Sequence, residues 1–194
     1  MKLVAITGGI GSGKSVVARI LQVMGYEIYD CDSRAKALMI DSDQVRGRLI
    51  QAFGDDTYLP DGSLNRQHLS AVAFGNRQFL ERLNAIVHPA TAKDMQRWAA
   101  TQAAQGAEAA FVETALLRTA SLDSLVDGVW HVTAPDEVRV DRVMARSGLT
   151  AQQVRDRMDA QVVEDSVAPG EQVIINDNVT PLLPQMIQLI NTLK

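Results

Sequence analysis

Apolar residues occur along this chain in two rhythms. Short runs rich in apolar and β-branched residues, at Leu3–Ile6, Glu27–Asp30, Ala109–Glu113, Val129–Thr133 and Gln172–Asn176, read as strands. Between them apolar positions recur three and four apart, as at Val16, Val17, Ile20, Leu21 and Met24, which is the mark of one helix face. Gly25 follows that face as a helix stop. A last helix is expected from Thr180-Pro181, with Leu182, Leu183, Met186, Ile187, Leu189 and Ile190 on its apolar side. Strand and helix patterns alternate. The fold class is therefore α/β, a five-stranded, mainly parallel sheet flanked by helices.

Two long interruptions break the alternation. After Asp30 come helical patterns from Asp32, from Asp43 to Phe53 and from Asn65 to Phe74, then shorter ones, with a turn at Leu59–Gly62. His88-Pro89 reads as the opening of a long helix through Trp98 towards Gln105, because proline suits a first helical turn. This is far more chain than a crossover needs. The second interruption holds two helical patterns, from Pro135 and from Thr150, joined at Ser147-Gly148 and carrying Arg139, Arg142, Arg146, Arg155 and Arg157. The expected organisation is one domain over 1–194. It has a core of about 1–31, 106–137 and 166–194, a helical insertion of about 32–105 and a helical lid of about 138–165.

Between the first strand and the first helix lies Gly8-Gly9-Ile10-Gly11-Ser12-Gly13-Lys14-Ser15, which fills the phosphate-loop pattern G-x-x-x-x-G-K-[ST]. The glycines let the backbone curl so that several N–H groups face one phosphate chain. The helix N-terminus adds a partial positive charge behind them. Lys14 supplies a full charge for the outer phosphates, and the Ser15 hydroxyl suits Mg²⁺. Such a loop binds a nucleoside triphosphate.

Composition narrows the picture. The chain has 194 residues, 46% hydrophobic and 22% charged, and a formal net charge of −4, which argues against a nucleic-acid binder. Cys31 is the single cysteine, so no intrachain disulfide forms. No apolar run approaches the roughly 20 residues that span a bilayer, and the first residues enter a core strand directly. A cytoplasmic location without membrane or obligate protein partners is expected. His68, His88 and His131 are too scattered for a zinc site.

Other candidates carry two readings each. Asp30-Cys31-Asp32 stands at the carboxyl end of the second strand, the sheet edge where ligands bind. A carboxylate there suits an acceptor hydroxyl in phosphoryl transfer, and it equally suits a helix cap. Glu113 closes the third strand and could hold Mg²⁺ through water, although an apolar run ending in glutamate is common. Arg139, Arg142 and Arg146 share one helix face, which would stabilise charge in a closing lid or pair with Asp136, Glu137 and Asp141. Arg66 and His88 read either as substrate contacts or as surface and packing residues. There is no N-K-x-D to read guanine and no D-x-x-G after the third strand, so a switch GTPase is disfavoured.

Nearly end to end, the sequence resembles the dephospho-CoA kinase family. Thr7–Ser15 is similar to its phosphate loop, and Asp30-Cys31-Asp32 with Ala35 to its D-A-D-x-x-A segment. Phe53-Gly54, Asp61–Arg66, Leu69 and Phe74 resemble its F-G…D-G-x-L-x-R-x-x-L…F series, and Leu83–Pro89 its L-N-x-I-x-H-P signature. Arg142, Arg146, Gln161 and Asn176 fall where the family has lid arginines, a glutamine and a late asparagine. The resemblance implies ATP-dependent phosphorylation of the ribose 3′-hydroxyl of dephospho-CoA. It makes Asp32 the general base, with Asp32, Arg66 and His88 on the substrate side. It puts Gly9, Gly11, Ser12, Gly13, Lys14, Ser15, Val16, Arg146 and Asn176 on the nucleotide, Lys14 and Arg142 at the transferring phosphoryl group, and Ser15 on Mg²⁺. Three departures stand out. Glu113–Thr119 lacks the usual proline, aromatic and closing glutamate, a common glutamine before the lid is replaced by Val138 or Arg139, and Val16 replaces a frequent threonine. A kinase for another small alcohol, or an ATP-binding regulator, are the competing readings.

Overall fold

The computed structural model describes residues 1–73 and 77–193. Five strands form one sheet: β1 (Lys2–Thr7), β2 (Ile28–Asp30), β3 (Ala109–Glu113), β4 (Gly128–Thr133) and β5 (Gln172–Ile175). Their order is β2-β3-β1-β4-β5 and every pairing is parallel. Register places Ile6 beside Glu113 on one side and Trp130 on the other, and Asp30 beside Glu113. The carboxyl end of β1 thus opens at the middle of the sheet, with neighbours on both flanks. That is where an open parallel sheet offers a crevice.

Parallel strands need crossovers, and helices supply them. They are α1 (Lys14–Val23), α2 (Cys31–Asp41), α3 (Asp43–Phe53), α4 (Arg66–Ala73), α5 (Arg77–Ala104), α6 (Asp136–Ser147), α7 (Ala151–Asp159), α8 (Val162–Asp165) and α9 (Leu182–Asn191). The chain divides into two compact units, Met1–Asp30 with Trp98–Lys194, and Cys31–Arg97.

In the first unit, Val17 and Leu21 of α1 and Met186 of α9 pack with Ile6, Phe111 and Trp130 of the sheet. The Phe111 and Trp130 ring centroids lie 5.0 Å apart. Full burial of each such side chain is worth about 1.5–3 kcal/mol. A smaller cluster joins Val140 and Val143 of α6 to Val154 and Met158 of α7, and Ile10 of the glycine loop packs against it. Thr150 caps α7 in a reciprocal box with Gln153. In the second unit, Val45 and Leu49 of α3 pack against Ile86 of α5, and the Phe53 and Phe79 rings lie 4.2 Å apart. Arg46 sits 4.0 Å over the Tyr58 ring, whose hydroxyl donates to the Met39 carbonyl at 2.6 Å.

The long helix differs from expectation. Pro89 does not open it: α5 begins at Arg77, runs 28 residues and carries Pro89 in its interior. Its buried positions Phe79, Ile86, Val87, Thr91 and Met95 lie on both sides of the proline, so packing holds the helix together across the missing N–H. The Thr91 hydroxyl donates to the Val87 carbonyl at 3.0 Å within that stretch. The expected helix to Phe74 is seen as Arg66–Ala73, and Phe74 lies outside the described residues.

An interior proline costs about 3 kcal/mol against alanine, offset by about 0.4–1 kcal/mol because proline also stiffens the unfolded chain. Pro89→Ala is therefore expected to stabilise the protein by about 2 kcal/mol in urea unfolding. A lowered midpoint would show that α5 does not bear this strain.

Candidate active site

The glycine loop joins β1 to α1, and Gly13 sets its last bend. Gly13 has φ 95°, caps α1, and its carbonyl accepts from Val16 N–H at 3.0 Å and Val17 N–H at 3.3 Å. A Cβ there would overlap Asn176 Nδ2, which donates to the Ser12 carbonyl at 2.8 Å. Glycine is thus required twice over at this position, by backbone sign and by space. The Lys14 ammonium folds back across the loop, 2.8 Å from the Gly8 carbonyl and 3.3 Å from that of Gly9.

Helix α6 lays two arginines on the loop. Arg142 donates through Nη1 to the Gly11 and Ser12 carbonyls, both at 3.3 Å, and through Nη2 to the Asn176 carbonyl at 2.9 Å and its Oδ1 at 3.2 Å. Asn178 Oδ1 also accepts from Arg142 Nη2. Asn178 reaches it from a left-handed bend of φ 70°, in a turn that Asp177 holds by accepting from Val179 and Thr180 N–H. Those hydrogen bonds, first from Thr180 and then from Val179, keep the Asp177 carboxyl below the usual range. Arg139, only 5% exposed, donates through Nε to the Ile10 carbonyl at 2.9 Å and through Nη1 to Asp165 at 2.6 Å and Asp136 at 3.3 Å.

Gly9, Gly11, Ser12, Gly13, Lys14, Arg142 and Asn176 are thus assembled in one place. Ser15 and Val16 start the outer face of α1, along a groove of about 740 Å³ lined also by Arg19, Ile20, Val23, Met24 and Leu183. Arg146 is exposed in the last turn of α6 and makes no hydrogen bond to the loop. In the second unit, Asp32 is exposed in the first turn of α2, Arg66 is exposed at the start of α4, and His88 is half-buried within α5. No cluster of three or more His, Cys, Asp or Glu able to hold a metal is found among the described residues.

Sequence reading missed the loop's acidic neighbour. Gly9 N–H donates to Asp165 Oδ1 at 3.2 Å, and Ile10 N–H to Gln161 Oε1 at 3.0 Å. It also missed a brace beneath the divergent Glu113–Thr119 segment. Buried Glu164 accepts from Arg118 N–H at 3.2 Å and Thr119 N–H at 2.7 Å, while the Arg118 side chain pairs with Glu171 at 2.5 Å. Glu171 in turn lies 3.2 Å from Nδ1 of the fully buried His131.

A glycine loop after the central strand of a five-stranded parallel sheet, crowned by basic side chains, defines a phosphate-loop kinase fold. TT1252 from Thermus thermophilus shares it with a TM-score of 0.76 at 31% identity, over 98% of this chain and 95% of that one. A dephospho-CoA kinase from Campylobacter jejuni shares it with a TM-score of 0.71 at 20% identity, over 97% and 95%. The family model for dephospho-CoA kinase, CoaE, matches residues 2–181. The dephospho-CoA kinase of Porphyromonas gingivalis is 39% identical over all of this chain and 95% of its own. That of Geobacter sulfurreducens is 36% identical over 93% and 92%. The chain belongs to the dephospho-CoA kinase family. It is an ATP-using phosphotransferase of coenzyme A biosynthesis.

His88 offers a pH readout. Burial lowers its pKa from the ordinary 6.5, so the folded protein holds it neutral where the unfolded chain takes up a proton. Its contribution to stability is complete above pH 6.5 and is lost as pH falls towards and through the lower folded value. His88→Gln is expected to flatten that part of the stability–pH curve between about pH 7 and 5. An unchanged slope would place the titration elsewhere.

Proposed function

We propose that this chain transfers the γ-phosphoryl group of ATP to the ribose 3′-hydroxyl of dephospho-CoA, giving coenzyme A and ADP in the cytoplasm. The observation that carries this reading is the cradle around Gly9–Ser15, where Lys14 and Arg142 converge on loop backbone built for a phosphate chain. The amides of Gly9, Gly11, Ser12 and Gly13 hold the phosphates, and Lys14 neutralises the outer two. The groove beside Val16 receives the nucleoside, and Asn176, held against Ser12 and Gly13 of the loop, neighbours the adenine. Arg142 and Arg146 belong to a lid over about 138–165, which offsets charge as the phosphoryl group moves and excludes water.

The insertion of about 32–105 binds the CoA portion, with Arg66 and His88 on that side. Asp32 accepts the proton of the 3′-hydroxyl as its oxygen attacks the γ-phosphorus, and the bond to the β–γ bridging oxygen breaks to release ADP. An exposed carboxylate suits a base that must meet an incoming substrate.

Mg²⁺ fits this donor set. The Ser15 hydroxyl and the strand-end carboxylate Glu113 are hard oxygen ligands of the kind that share Mg²⁺ with substrate phosphates and water. Bound there, the ion supplies charge neutralisation at the phosphate oxygens.

ADP release from Mg·ATP should depend on dephospho-CoA, and the product should gain the mass of one phosphoryl group. Asp32→Asn should lower kcat by about 10²-fold or more, the usual cost of a lost general base, while the ATP dissociation constant stays within about twofold. ADP release indifferent to acceptor would overturn the substrate assignment, and full turnover by Asp32→Asn would leave Asp32 a cap.

A further inference from the structure

Two of the loop's leading N–H groups already have acceptors. Asp165, the last residue of the four-residue α8, presents its carboxylate to Gly9 N–H, and Gln161 presents its amide oxygen to Ile10 N–H. Asp165 is here what a phosphate oxygen would be: an anion held by a loop amide and by the guanidinium of Arg139, 2.6 Å away. Lys14 marks which phosphates are mimicked. Its ammonium rests on the carbonyls of Gly8 and Gly9, the second being the residue whose N–H the carboxylate holds, and the loop lysine is the group that meets the β- and γ-phosphates.

Arg139 carries the second observation. Its side chain is 95% buried, yet Nη2 has no hydrogen-bond partner among the described residues, while Nε and Nη1 are both engaged. A Cβ placed on Gly9 would overlap both Arg139 Nη2 and Asp165 Oδ1, so the unsatisfied N–H₂ and the carboxylate meet at the same face of the loop. A buried cationic donor left unsatisfied is costly, and an anion at this face relieves it. The loop's other arginine is different, since Arg142 spends both terminal nitrogens on the Gly11, Ser12, Asn176 and Asn178 oxygens.

We infer that Arg139 is a second phosphate-binding arginine, which Asp165 occupies in the nucleotide-free protein and surrenders to the outer phosphates of ATP. The inference rests on the nucleotide-binding reading of the loop and deepens it. Triphosphate and carboxylate compete for Gly9 N–H and for Arg139, so Asp165 sets a threshold that ATP must exceed. Because Gly9, the contested residue, is also one on which Lys14 rests, Arg139 serves the terminal phosphate most, and it separates ATP from ADP. The glutamine common before the lid in the resembling family is replaced here by Val138 or Arg139. A guanidinium offers an anion the charge that an amide lacks.

The test is calorimetric titration of the full chain with Mg·ATP and with Mg·ADP. Arg139→Ala should weaken ATP by about 10-fold or more, the range of a hydrogen bond to a charged group, and ADP by less than about threefold. Arg139→Lys should restore part of the ATP preference. Asp165→Asn should tighten ATP by several-fold, and ADP by less. Equal weakening of ATP and ADP by Arg139→Ala would show that the residue only braces the loop, and unchanged or weaker ATP binding by Asp165→Asn would remove the competition. Circular dichroism checks the fold, and Arg139→Gln, closer in volume, carries the same comparison should the alanine variant not fold. Acceptor-dependent ADP release by the wild type tests the kinase assignment separately. Either failing pattern beside normal turnover overturns this inference alone.

Discussion

Backbone N–H groups at the start of a helix have no partners within it, and the glycine loop before α1 gathers more of them in one bend. Much of what surrounds the loop answers that demand or the matching demand of its carbonyls. Asn176, Arg142 and Arg139 take the carbonyls of residues 10–12, and Asp165 and Gln161 take the N–H groups of 9 and 10. The sheet order serves the same end. With β1 in the middle, β4 can lead into α6, and β5 into the Asn176–Thr180 turn, close beside the loop. Shape here follows from the accounting of donors and acceptors.

Charge is arranged on the same pattern. Lys14, Arg139 and Arg142 are three cations at one loop, and Asp165 is a carboxylate paired with Arg139 there. A concentration of positive charge without substrate is self-repelling, and one internal anion eases that repulsion. The more distant brace of Arg118, Glu171 and His131 is of another kind. It ties the segment after β3 to the residues before β5 and so steadies the two strand ends that flank the nucleotide edge.

Much of this could be read from the chain. Strand runs and glycine spacing are local signals, so the phosphate loop, the five strands and a helix from about Thr150 were visible without coordinates. Pro89 was misread because first-turn preference is local, whereas the packing of Phe79 and Val87 that carries α5 through it is not. Asp165 escaped notice for a similar reason. It lies 156 residues from Gly9, at the end of a helix too short to show periodicity, and one aspartate in Val162–Asp165 looks like any surface acid. Arg139 was seen as one of three arginines on a face. Only the fold distinguishes the one that is buried from Arg142 on the loop carbonyls and Arg146 in the open.

The loop's partners have a consequence for how the molecule is made. Residues 9–14 leave the ribosome more than a hundred residues ahead of Arg139, Arg142, Asp165 and Asn176. Contacts of such sequence separation form late, after the intervening chain has condensed. Until β5 pairs with β4, the glycine loop lacks the neighbours that hold its curvature, and a nascent chain has little means of gripping a nucleotide. The phosphate loop is synthesised long before the contacts that complete it can form.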